Sequence, residues 1–312
     1  MPDNVFVVIV TFNGEEYIDA CLKSVYKSHC EVSVIVVDNN SGDNTVNIIE
    51  NKFPQTAVVR NHKNEGFGGA NNIGINLALA KKSEFIFLLN QDTIIEATTI
   101  PTLIQAMQTD NEFSVLSPIH LDDRGDALDK GFAAYVHEDL KPDQLSVLHA
   151  SKERRIFEVS FVNAAAWMVR MDTFKRVGGF APLFFHYGED RDFVNRMRYH
   201  NFKIGILTGS FIRHLRGSRA NFNEWGQSRL DKYYKTGWTS RASNINVTLF
   251  KGWTDGFIWS LKEAFFYLLK GNVRVLIAFI VSLAQLIWSI PSIMRHRAEV
   301  RSLRNFKFLS FE

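Results

Sequence analysis

The sequence predicts an α/β fold in which helices cover both faces of a mostly parallel β-sheet. Apolar, β-branched runs of strand length alternate with segments of helical periodicity through about the first 120 of the 312 residues. This alternation is typical of parallel strands joined by crossover helices. A second observation is the apolar run Phe85–Leu89, which passes without a turn into Asn90-Gln91-Asp92. A buried strand would deliver these polar side chains to the sheet edge where open α/β sheets bind ligands.

The elements of the first half follow in a regular order. Each predicted helix places apolar residues three and four positions apart, as Ile18, Cys21, Leu22 and Val25 do. We expect the strands Val5–Val10, Val32–Val37, Ala57–Arg60, Glu84–Leu89 and Phe113–Leu116, and the helices Glu15–Lys27, Asp43–Lys52, Gly69–Lys82 and Glu96–Gln108.

The pattern weakens between His120 and Arg155, a polar stretch that we interpret as an excursion or an antiparallel flap. Beyond it we expect a strand within Phe157–Val169, a helix at Asp190–His200, and strands at Phe202–Leu207 and Phe211–His214. We therefore place one α/β domain at residues 1–220, with halves at 1–118 and 119–220, followed by a C-terminal helical region at 221–312.

The C-terminal region is both apolar and basic. Phe257–Lys270 and Val273–Ile290 are apolar and aromatic, and residues 251–312 hold nine Lys/Arg against four Asp/Glu, a net of +5. Two amphipathic helices lying in a membrane interface fit this pattern, with the cations facing anionic headgroups. The alternative is a buried helical hairpin in a soluble homodimer.

Composition excludes several classes of protein. An apolar fraction of 46% and a charged fraction of 22% indicate a globular chain, and a net charge of +3 gives no reason to expect nucleic-acid binding. The two cysteines, Cys21 and Cys30, suggest reduced thiols rather than a disulfide scaffold. The N-terminus does not resemble a signal peptide. We expect a cytoplasmic protein, peripheral on the inner face of the cell membrane.

Polar clusters follow each of the first four predicted strands. If these strands are parallel, the clusters share one edge of the sheet and outline a cleft of nucleotide size. The clusters are Thr11-Phe12-Asn13-Gly14, Asp38-Asn39-Asn40-Ser41-Gly42-Asp43, Asn64-Glu65-Gly66-Phe67-Gly68-Gly69-Ala70-Asn71-Asn72 and Asn90-Gln91-Asp92.

The glycines Gly66, Gly68 and Gly69 do not form a dinucleotide fingerprint. That motif needs its glycines after the first strand and an acid after the second, whereas here the glycines follow the third strand. They would instead let backbone approach a ligand, or form a tight turn.

With Gly188-Glu189-Asp190-Arg191-Asp192-Phe193 added, the ordered motifs resemble those of the family 2 glycosyltransferases. The resemblance is strongest to the rhamnosyltransferase-like branch that builds bacterial surface polysaccharides, and it covers about residues 4–220. It implies a GT-A fold, a nucleotide-sugar donor, a Mn²⁺ or Mg²⁺ ion, and inversion of the anomeric centre. It also implies that 1–118 is the nucleotide-binding half and 119–220 the acceptor half.

The resemblance implies a role for each motif. Thr11 and Asn13 would border the base and ribose, and Asp38 would accept a hydrogen bond from N3–H of uracil or thymine. The nucleotide and sugar pocket would be lined by Asn64, Gly68, Gly69, Asn90 and Asp92.

The expected metal ligands are Asp92 and His214. The usual Asp-x-Asp is here Asn90-Gln91-Asp92, so the first acid is missing and Asp92 would depend on His214 and on the donor's phosphates. This departure weakens the case for tight metal binding and leaves a pseudo-enzyme open. His214 is otherwise an ordinary histidine at a strand end.

Glu189 and Asp190 form the second chemical centre. Both open a helix, where carboxylates favour the helix dipole without any catalytic role. A carboxylate partly desolvated by the preceding aromatics would suit a general base. The resemblance favours Asp190 as the base, with Glu189 as the alternative, and Asp192 and Arg196 would brace the site or pair on the helix face.

The arginines Arg213, Arg216 and Arg219 would hold donor phosphates or an acceptor lipid diphosphate, or would form a solvated basic loop. The Gln-x-x-Arg-Trp motif of processive synthases is absent from the sequence, so we expect non-processive transfer. The predicted enzyme moves a sugar from a UDP- or dTDP-sugar, with dTDP-rhamnose favoured, to a lipid-linked glycan. The alternatives are another hexose donor or a non-catalytic membrane scaffold.

Overall fold

A computed structural model describes residues 5–141, 144–145, 148, 153–215, 225–302 and 308–309. Nine strands of these residues form one mixed sheet in the order β3-β2-β1-β4-β8-β6-β9-β5, and β7 pairs with β9. The strands are β1 Val5–Thr11, β2 Ser33–Asp38, β3 Ala57–Arg60, β4 Phe85–Asn90, β5 Thr93–Ile95, β6 Phe113–Leu121, β7 Ile156–Glu158, β8 Ala166–Arg170 and β9 Lys203–His214.

The helices named here connect these strands or follow the last of them. They are α1 Ile18–Tyr26, α2 Thr45–Lys52, α3 Gly66–Ala80, α4 Thr99–Thr109, α5 Lys130–Val136, α6 Met171–Val177, α7 Glu189–Tyr199, α8 Gln227–Ser243, α9 Leu249–Leu269 and α10 Arg274–Val300.

The first four strands are parallel, as the sequence predicts. β1 pairs in parallel with β2 and β4, and β2 pairs in parallel with β3. The second half of the sheet is mixed, because β8 runs antiparallel to both β4 and β6 while β9 runs parallel to β6. The carboxyl ends of β1 to β4 therefore meet at one edge.

Apolar cores lie on both faces of the sheet. One core packs α3, α5, α6 and α7 against one face, around fully buried residues such as Trp167 and Phe193. The other packs α1, α2 and α4 against the opposite face, around Ile18, Ile49 and Leu103. The alternation of inward residues along β1 supplies both cores, with Val8 in one and Val7 in the other.

Two strand predictions were wrong in detail. The segment Phe157–Val169 holds two short strands, β7 and β8, separated by an irregular stretch. Conversely, Phe202–Leu207 and Phe211–His214 belong to the single strand β9, whose register shifts where Gly209 adopts a φ of +70°. The His120–Arg155 excursion contains α5 and an antiparallel bridge between Leu121 and Leu128, and part of it lies outside the described residues.

Three helices, α8, α9 and α10, form the C-terminal region. The sequence prediction missed α8, although its inward residues Leu230, Tyr234, Trp238 and Ala242 recur every four positions. Helix α10 is long and apolar enough to cross a membrane, with a mean hydropathy of 2.0 over its most apolar stretch. Large apolar side chains on α9 and α10 are exposed, including Leu269 (73%) and Trp288 (87%).

Candidate active site at the carboxyl edge of the sheet

The strand-end residues lie side by side at the edge formed by β1 to β4. Thr11 is in register with Asp38, Asp38 with Arg60, and Val10 with Asn90. The parallel register therefore brings the polar clusters that follow these strands to one edge, as the sequence predicts.

Asp38 is the buried acid of this edge. Its side chain is 4% exposed, and Oδ2 accepts a hydrogen bond from the backbone N–H of Ser41 at 3.2 Å. Among the described residues, its Oδ1 has no hydrogen-bond partner. A buried acceptor without a partner is costly, so a ligand N–H at this point would stabilise it. Asp38 also borders a cavity of about 370 Å³, which is lined by Asp38, Asn40, Ser41, Asp43, Val46, Asn47, Arg60, Asn61 and His62.

Asn39 organises the loops around the cleft. Its amide donates to Asn64 Oδ1 at 2.8 Å, and its Oδ1 accepts from Asn61 at 3.1 Å and from the backbone N–H of Glu65 at 2.9 Å. The predicted pocket residue Asn64 is therefore held by a buried neighbour to which the sequence analysis gave no role. An Asn directly after the strand-end acid was the available signal.

The loops after β1, β2 and β4 are also cross-linked. Asn13 donates from its backbone to Ser41 Oγ at 2.9 Å and accepts from the backbone N–H of Gly42 at 2.8 Å. Thr11 is fully buried and donates its hydroxyl to Gln91 Oε1 at 2.5 Å. The predicted roles of Thr11 and Asn13 at the base and ribose stay predictions. The sequence analysis gave Gln91 no role. In the structure its side chain joins β1 to β4.

The glycines after β3 face other protein atoms, backbone at Gly66 and side chains at Gly68 and Gly69, rather than open space. Gly66 has a φ of +76°, and a Cβ built on it would lie 2.0 Å from the carbonyl oxygen of Phe185. A Cβ on Gly68 would lie 2.8 Å from Cβ of Phe180 and 3.4 Å from Cβ of Glu189. A Cβ on Gly69 meets the Glu65 side chain at 3.1 Å. The start of α3 thus packs directly against the loop that carries the candidate catalytic acids.

Asp92 and His214 are brought together by the pairing of β5 with β9. His214 Nε2 lies 3.3 Å from Asp92 Oδ2, and the side chains are 2% and 27% exposed. Nearby, Asn90 Oδ1 is buried without a hydrogen-bond partner among the described residues. No group of three or more potential metal-ligating residues occurs in the described part of the chain. An imidazole and a carboxylate fit a divalent ion that takes its remaining ligands from phosphate oxygens and water.

The predicted arginine loop is only partly described. Arg213, near the end of β9, is exposed, and a Cβ built on Gly125 would lie 3.1 Å from its Cδ. Arg216 and Arg219 lie outside the described residues.

Glu189 and Asp190 form an acid pair at the start of α7, with Glu189 buried and Asp190 half-buried. Glu189 is 4% exposed, and its Oε2 has no hydrogen-bond partner among the described residues. Burial and the neighbouring charge of Asp190 raise the pKa of Glu189 to about 8. Burial also raises the pKa of the half-buried Asp190, although the backbone N–H of Arg191, which donates to Oδ1 at 2.7 Å, favours its charged form.

The predicted pair on the face of α7 is present and buried. Arg196 Nε donates to Asp192 Oδ2 at 2.8 Å, with Arg196 1% and Asp192 2% exposed. Burial opposes ionisation of Asp192, but the charges of Arg196 and His296 lower its pKa below the usual value. The Arg196–Asp192 ion pair is therefore buried in its charged form beside the two acids whose pKa values are raised.

The fold and this edge define an α/β protein with a cavity at the ends of parallel strands and a protonatable acid pair that packs against the start of α3. The family model described as glycosyl transferase family 2 matches residues 6–173, more than half of the chain. The chain therefore belongs to glycosyltransferase family 2. A second model, described as the N-terminal domain of galactosyltransferase, matches residues 153–219.

Curated relatives are similar over part of their length. The chain is 27% identical over 214 residues to the low-salt glycan biosynthesis hexosyltransferase Agl10 of Haloferax volcanii, covering 66% of this chain and 65% of that protein. It is 27% identical over 213 residues to the glycosyltransferase GlyG of Streptococcus pneumoniae, covering 65% and 66%. It is 26% identical over 179 residues to the dTDP-rhamnosyl transferase RfbF of Shigella flexneri, covering 57% of each. The matched part thus spans less than two thirds of each relative.

Solved structures share the fold. TarS 1–349 of S. aureus in complex with UDP-GlcNAc superposes with a TM-score of 0.60 at 16% identity, over 96% of this chain and 88% of that one. The mannosyltransferase PcManGT of Pyrobaculum calidifontis in complex with GDP-Man and Mn²⁺ gives 0.56 at 14% identity, over 95% and 78%. GalNAc-T7 with UDP, GalNAc and Mn²⁺ gives 0.57 at 16% identity, over 77% and 50%. The expected GT-A fold is confirmed.

Proposed function

We propose that this protein is an inverting, non-processive glycosyltransferase that moves a sugar from a UDP- or dTDP-sugar to a lipid-linked glycan. The observation that carries the proposal is the position of two acidic centres next to the start of α3. Asp38 Oδ1 has no hydrogen-bond partner among the described residues and would accept a pyrimidine N3–H, and its neighbour Asn39 donates to the carbonyl oxygen of Gly66 at 3.2 Å. Glu189 lies against Gly68 in the first turn of α3. Membership of glycosyltransferase family 2 supports the same reaction class.

Asp190 is the general base in this proposal. The charge of each carboxylate affects the ionisation of the other, so the pair titrates as a unit. Asp190 has backbone N–H donors from Arg191 and Ala164 that stabilise its anion, whereas Glu189 Oε2 has no such partner among the described residues. In this proposal Glu189, whose pKa is raised to about 8, holds the proton of the pair, and Asp190 acts in its ionised form.

The transfer is a single displacement. Asp190 accepts the proton of an acceptor hydroxyl while that oxygen bonds to the anomeric carbon. The bond from the anomeric carbon to the donor phosphate breaks on the opposite face, and both of its electrons leave with the nucleoside diphosphate. Asp92 and His214 would hold Mn²⁺ or Mg²⁺, which would supply charge stabilisation for the leaving diphosphate.

The donor is proposed to be dTDP-rhamnose. The carboxylate of Asp38 would accept the N3–H that uracil and thymine share. The relative from Shigella flexneri carries the name dTDP-rhamnosyl transferase, which supports rhamnose over other hexoses. We place the protein on the cytoplasmic face of the membrane, where the exposed apolar side chains of α9 and α10 would contact lipid beside the acceptor.

A panel of nucleotide-sugars tests the proposal. Melting temperatures would be measured with dTDP-rhamnose, UDP-glucose, UDP-GlcNAc and GDP-mannose, each with and without Mn²⁺. A pyrimidine nucleotide-sugar should raise the melting temperature by mass action, and GDP-mannose should not. Release of nucleoside diphosphate from the stabilising donor, in the presence of a lipid extract from the source cells, then measures transfer. Binding without any turnover would favour a non-catalytic scaffold instead.

A further inference from the structure

Helix α10 contacts the helix that carries the acid pair through one buried polar side chain. His296 Nε2 lies 2.7 Å from Asp192 Oδ1, with His296 5% and Asp192 2% exposed. Asp192 is ionised, so it accepts and the imidazole Nε2–H donates. A residue 104 positions further along the chain thus binds the first turn of α7, two residues after Asp190.

The same hydrogen-bond network holds the loop before the acid pair. Arg196, which binds the other oxygen of Asp192, donates to the carbonyl oxygens of Val177 at 2.9 Å and Gly179 at 2.7 Å. The Gly179–Phe180 backbone is in turn bound by Asn72 of α3, whose Oδ1 accepts from the N–H of Phe180 at 2.8 Å. His296 therefore completes a chain of contacts from α10 through α7 to the wall of the cleft.

Phe308 covers part of this network. Phe308 stacks on the His296 ring with centroids 5.9 Å apart and covers the Arg196 guanidinium at 5.4 Å. Its carbonyl oxygen accepts a hydrogen bond from Asn72 at 3.1 Å. Water is thereby kept from a carboxylate, a guanidinium and an imidazole that compensate one another, which strengthens each bond in the network.

Apolar side chains could join these helices without a buried polar network. A buried ion pair contributes little more to stability than well-packed apolar residues of equal volume, whereas its directional bonds fix one geometry. The network acts on the first turn of α7, the part of the helix that aims Glu189 and Asp190. A small rotation of this turn would move both carboxylates relative to an acceptor hydroxyl, and misplacement by about 1 Å is enough to slow a reaction strongly.

We propose that His296 is a positioning residue for sugar transfer, which acts through Asp192 to hold the acid pair in its reactive orientation. The proposal rests on the proposed function, because it assigns the orientation that Asp190 needs as a base. It also makes the apolar helix α10 a working part of the active site.

The test compares His296→Ala, His296→Gln and Asp192→Asn with His200→Ala. His200 is the matched control, since its Nε2 lies 2.9 Å from the carbonyl oxygen of Val300 and joins the same two helices without touching Asp192. Nucleoside diphosphate release gives kcat and the donor KM for each variant. Hydrogen exchange of residues 188–193 reports the order of the first turn without any requirement for activity.

We expect His296→Ala to lower kcat at least tenfold with a donor KM within about twofold of wild type, and to speed exchange at 188–193. His296→Gln keeps an N–H donor at the same reach and should restore most of kcat. Combining His296→Ala with Asp192→Asn should cost little more than either change alone. His200→Ala should leave kcat and the exchange of 188–193 unchanged.

Two results would overturn the inference. One is wild-type kcat and exchange in His296→Ala. The other is an equal loss in His200→Ala, which would mean that docking of α10 in general matters and His296 in particular does not. If His296→Ala does not fold, the other two variants test the inference. A positioning role predicts that His296→Gln retains activity and that Asp192→Asn loses it. Absence of turnover by the wild type would instead refute the proposed function, while the exchange comparison still reports on the network.

Discussion

His214 on β9 lies 3.3 Å from Asp92, just ahead of β5, so that the pairing of these two strands brings together residues 122 positions apart. With the first acid of the usual motif replaced by Asn90, this contact supplies the two protein ligands that a divalent ion would need beside the donor phosphates. We therefore expect Asp92→Asn to weaken Mn²⁺-dependent binding of UDP or dTDP at least tenfold, since one of two protein ligands is lost.

Isothermal titration with and without Mn²⁺ measures this effect. Binding in the absence of metal should change by less than about threefold, because Asp92 is expected to act through the ion. Asp123→Asn, on an exposed loop residue, is the control. An equal loss with and without metal would show that Asp92 contacts the nucleotide directly.

Asp38 Oδ1, which has no hydrogen-bond partner in the part of the chain that the structure describes, gives a second prediction. Asp38→Ala removes the proposed acceptor for N3–H and should weaken binding of UDP and dTDP by about tenfold or more, because a hydrogen bond to a charged group contributes about 1.5–3 kcal/mol. Methylation of the base offers a matched control on the ligand side. A 3-methyluracil nucleotide should bind wild type and Asp38→Ala equally weakly. A wild-type preference for the methylated base would contradict the assignment.

The acid pair gives a third prediction. Asp190→Asn removes the proposed base and should lower kcat by about 10²–10⁴ while the affinity for nucleoside diphosphate changes by less than twofold. Asp172→Asn, on the exposed face of α6, serves as the control. Glu189→Gln should retain more activity than Asp190→Asn, since an amide resembles the protonated acid. The reverse order of activities would make Glu189 the base.

The pH dependence of stability follows from the same pair. Burial raises the pKa of Glu189 in the folded protein to about 8, above the value of about 4.3 for an unfolded glutamate. The folded state therefore holds a proton that the unfolded state releases. The contribution of Glu189 to the free energy of unfolding is therefore fully present below about pH 4 and is lost as the pH rises through about 8.

Glu189→Gln has no carboxyl group to ionise, so it should not lose this stability as the pH rises. At pH 8.5 the variant should be more stable than wild type by at least about 1.4 kcal/mol, the equivalent of one pKa unit, and the difference should shrink towards pH 5. Chemical denaturation at both pH values measures it, with the exposed Glu138→Gln as the control. A difference that does not vary with pH would contradict a raised pKa.

The sequence predicted the first half of the fold because β1, β2 and β4 are buried on both faces and read as continuous apolar runs. Asp38, Asn90 and Asp92 could be placed at one edge because parallel strands end together. The sequence pattern predicted Arg196 as a partner of Asp192 but could not give His296, because His296 follows Asp192 by 104 residues and lies on a separate helix. Nor could it show that Gly66 and Gly68 admit the loop at Phe185 and Phe180, since a glycine pattern does not reveal what approaches it.

Substitution of a single exposed apolar side chain on α10 tests the proposed contact of this helix with a membrane. Trp288 is 87% and Ile287 63% exposed, on a helix whose opposite face packs into the protein through Leu286 and Ile293. If this face enters a lipid interface, Trp288→Ser should weaken binding to vesicles at least about tenfold, because burial of a large apolar side chain contributes about 1.5–3 kcal/mol. Cosedimentation with phosphatidylglycerol vesicles measures the effect. Binding should be stronger than to phosphatidylcholine and should fall with added salt, since the C-terminal region is basic.

Leu77→Ser is the matched control, because Leu77 is 41% exposed on α3, away from this region. It should leave vesicle binding unchanged. The alternative assignment, a soluble homodimer that buries the same face, makes the opposite set of predictions. The wild type would then ignore vesicles and sediment as a dimer, and Trp288→Ser would convert it to a monomer. Sedimentation velocity of both proteins separates the two, since a lipid-binding face predicts no change in the oligomeric state.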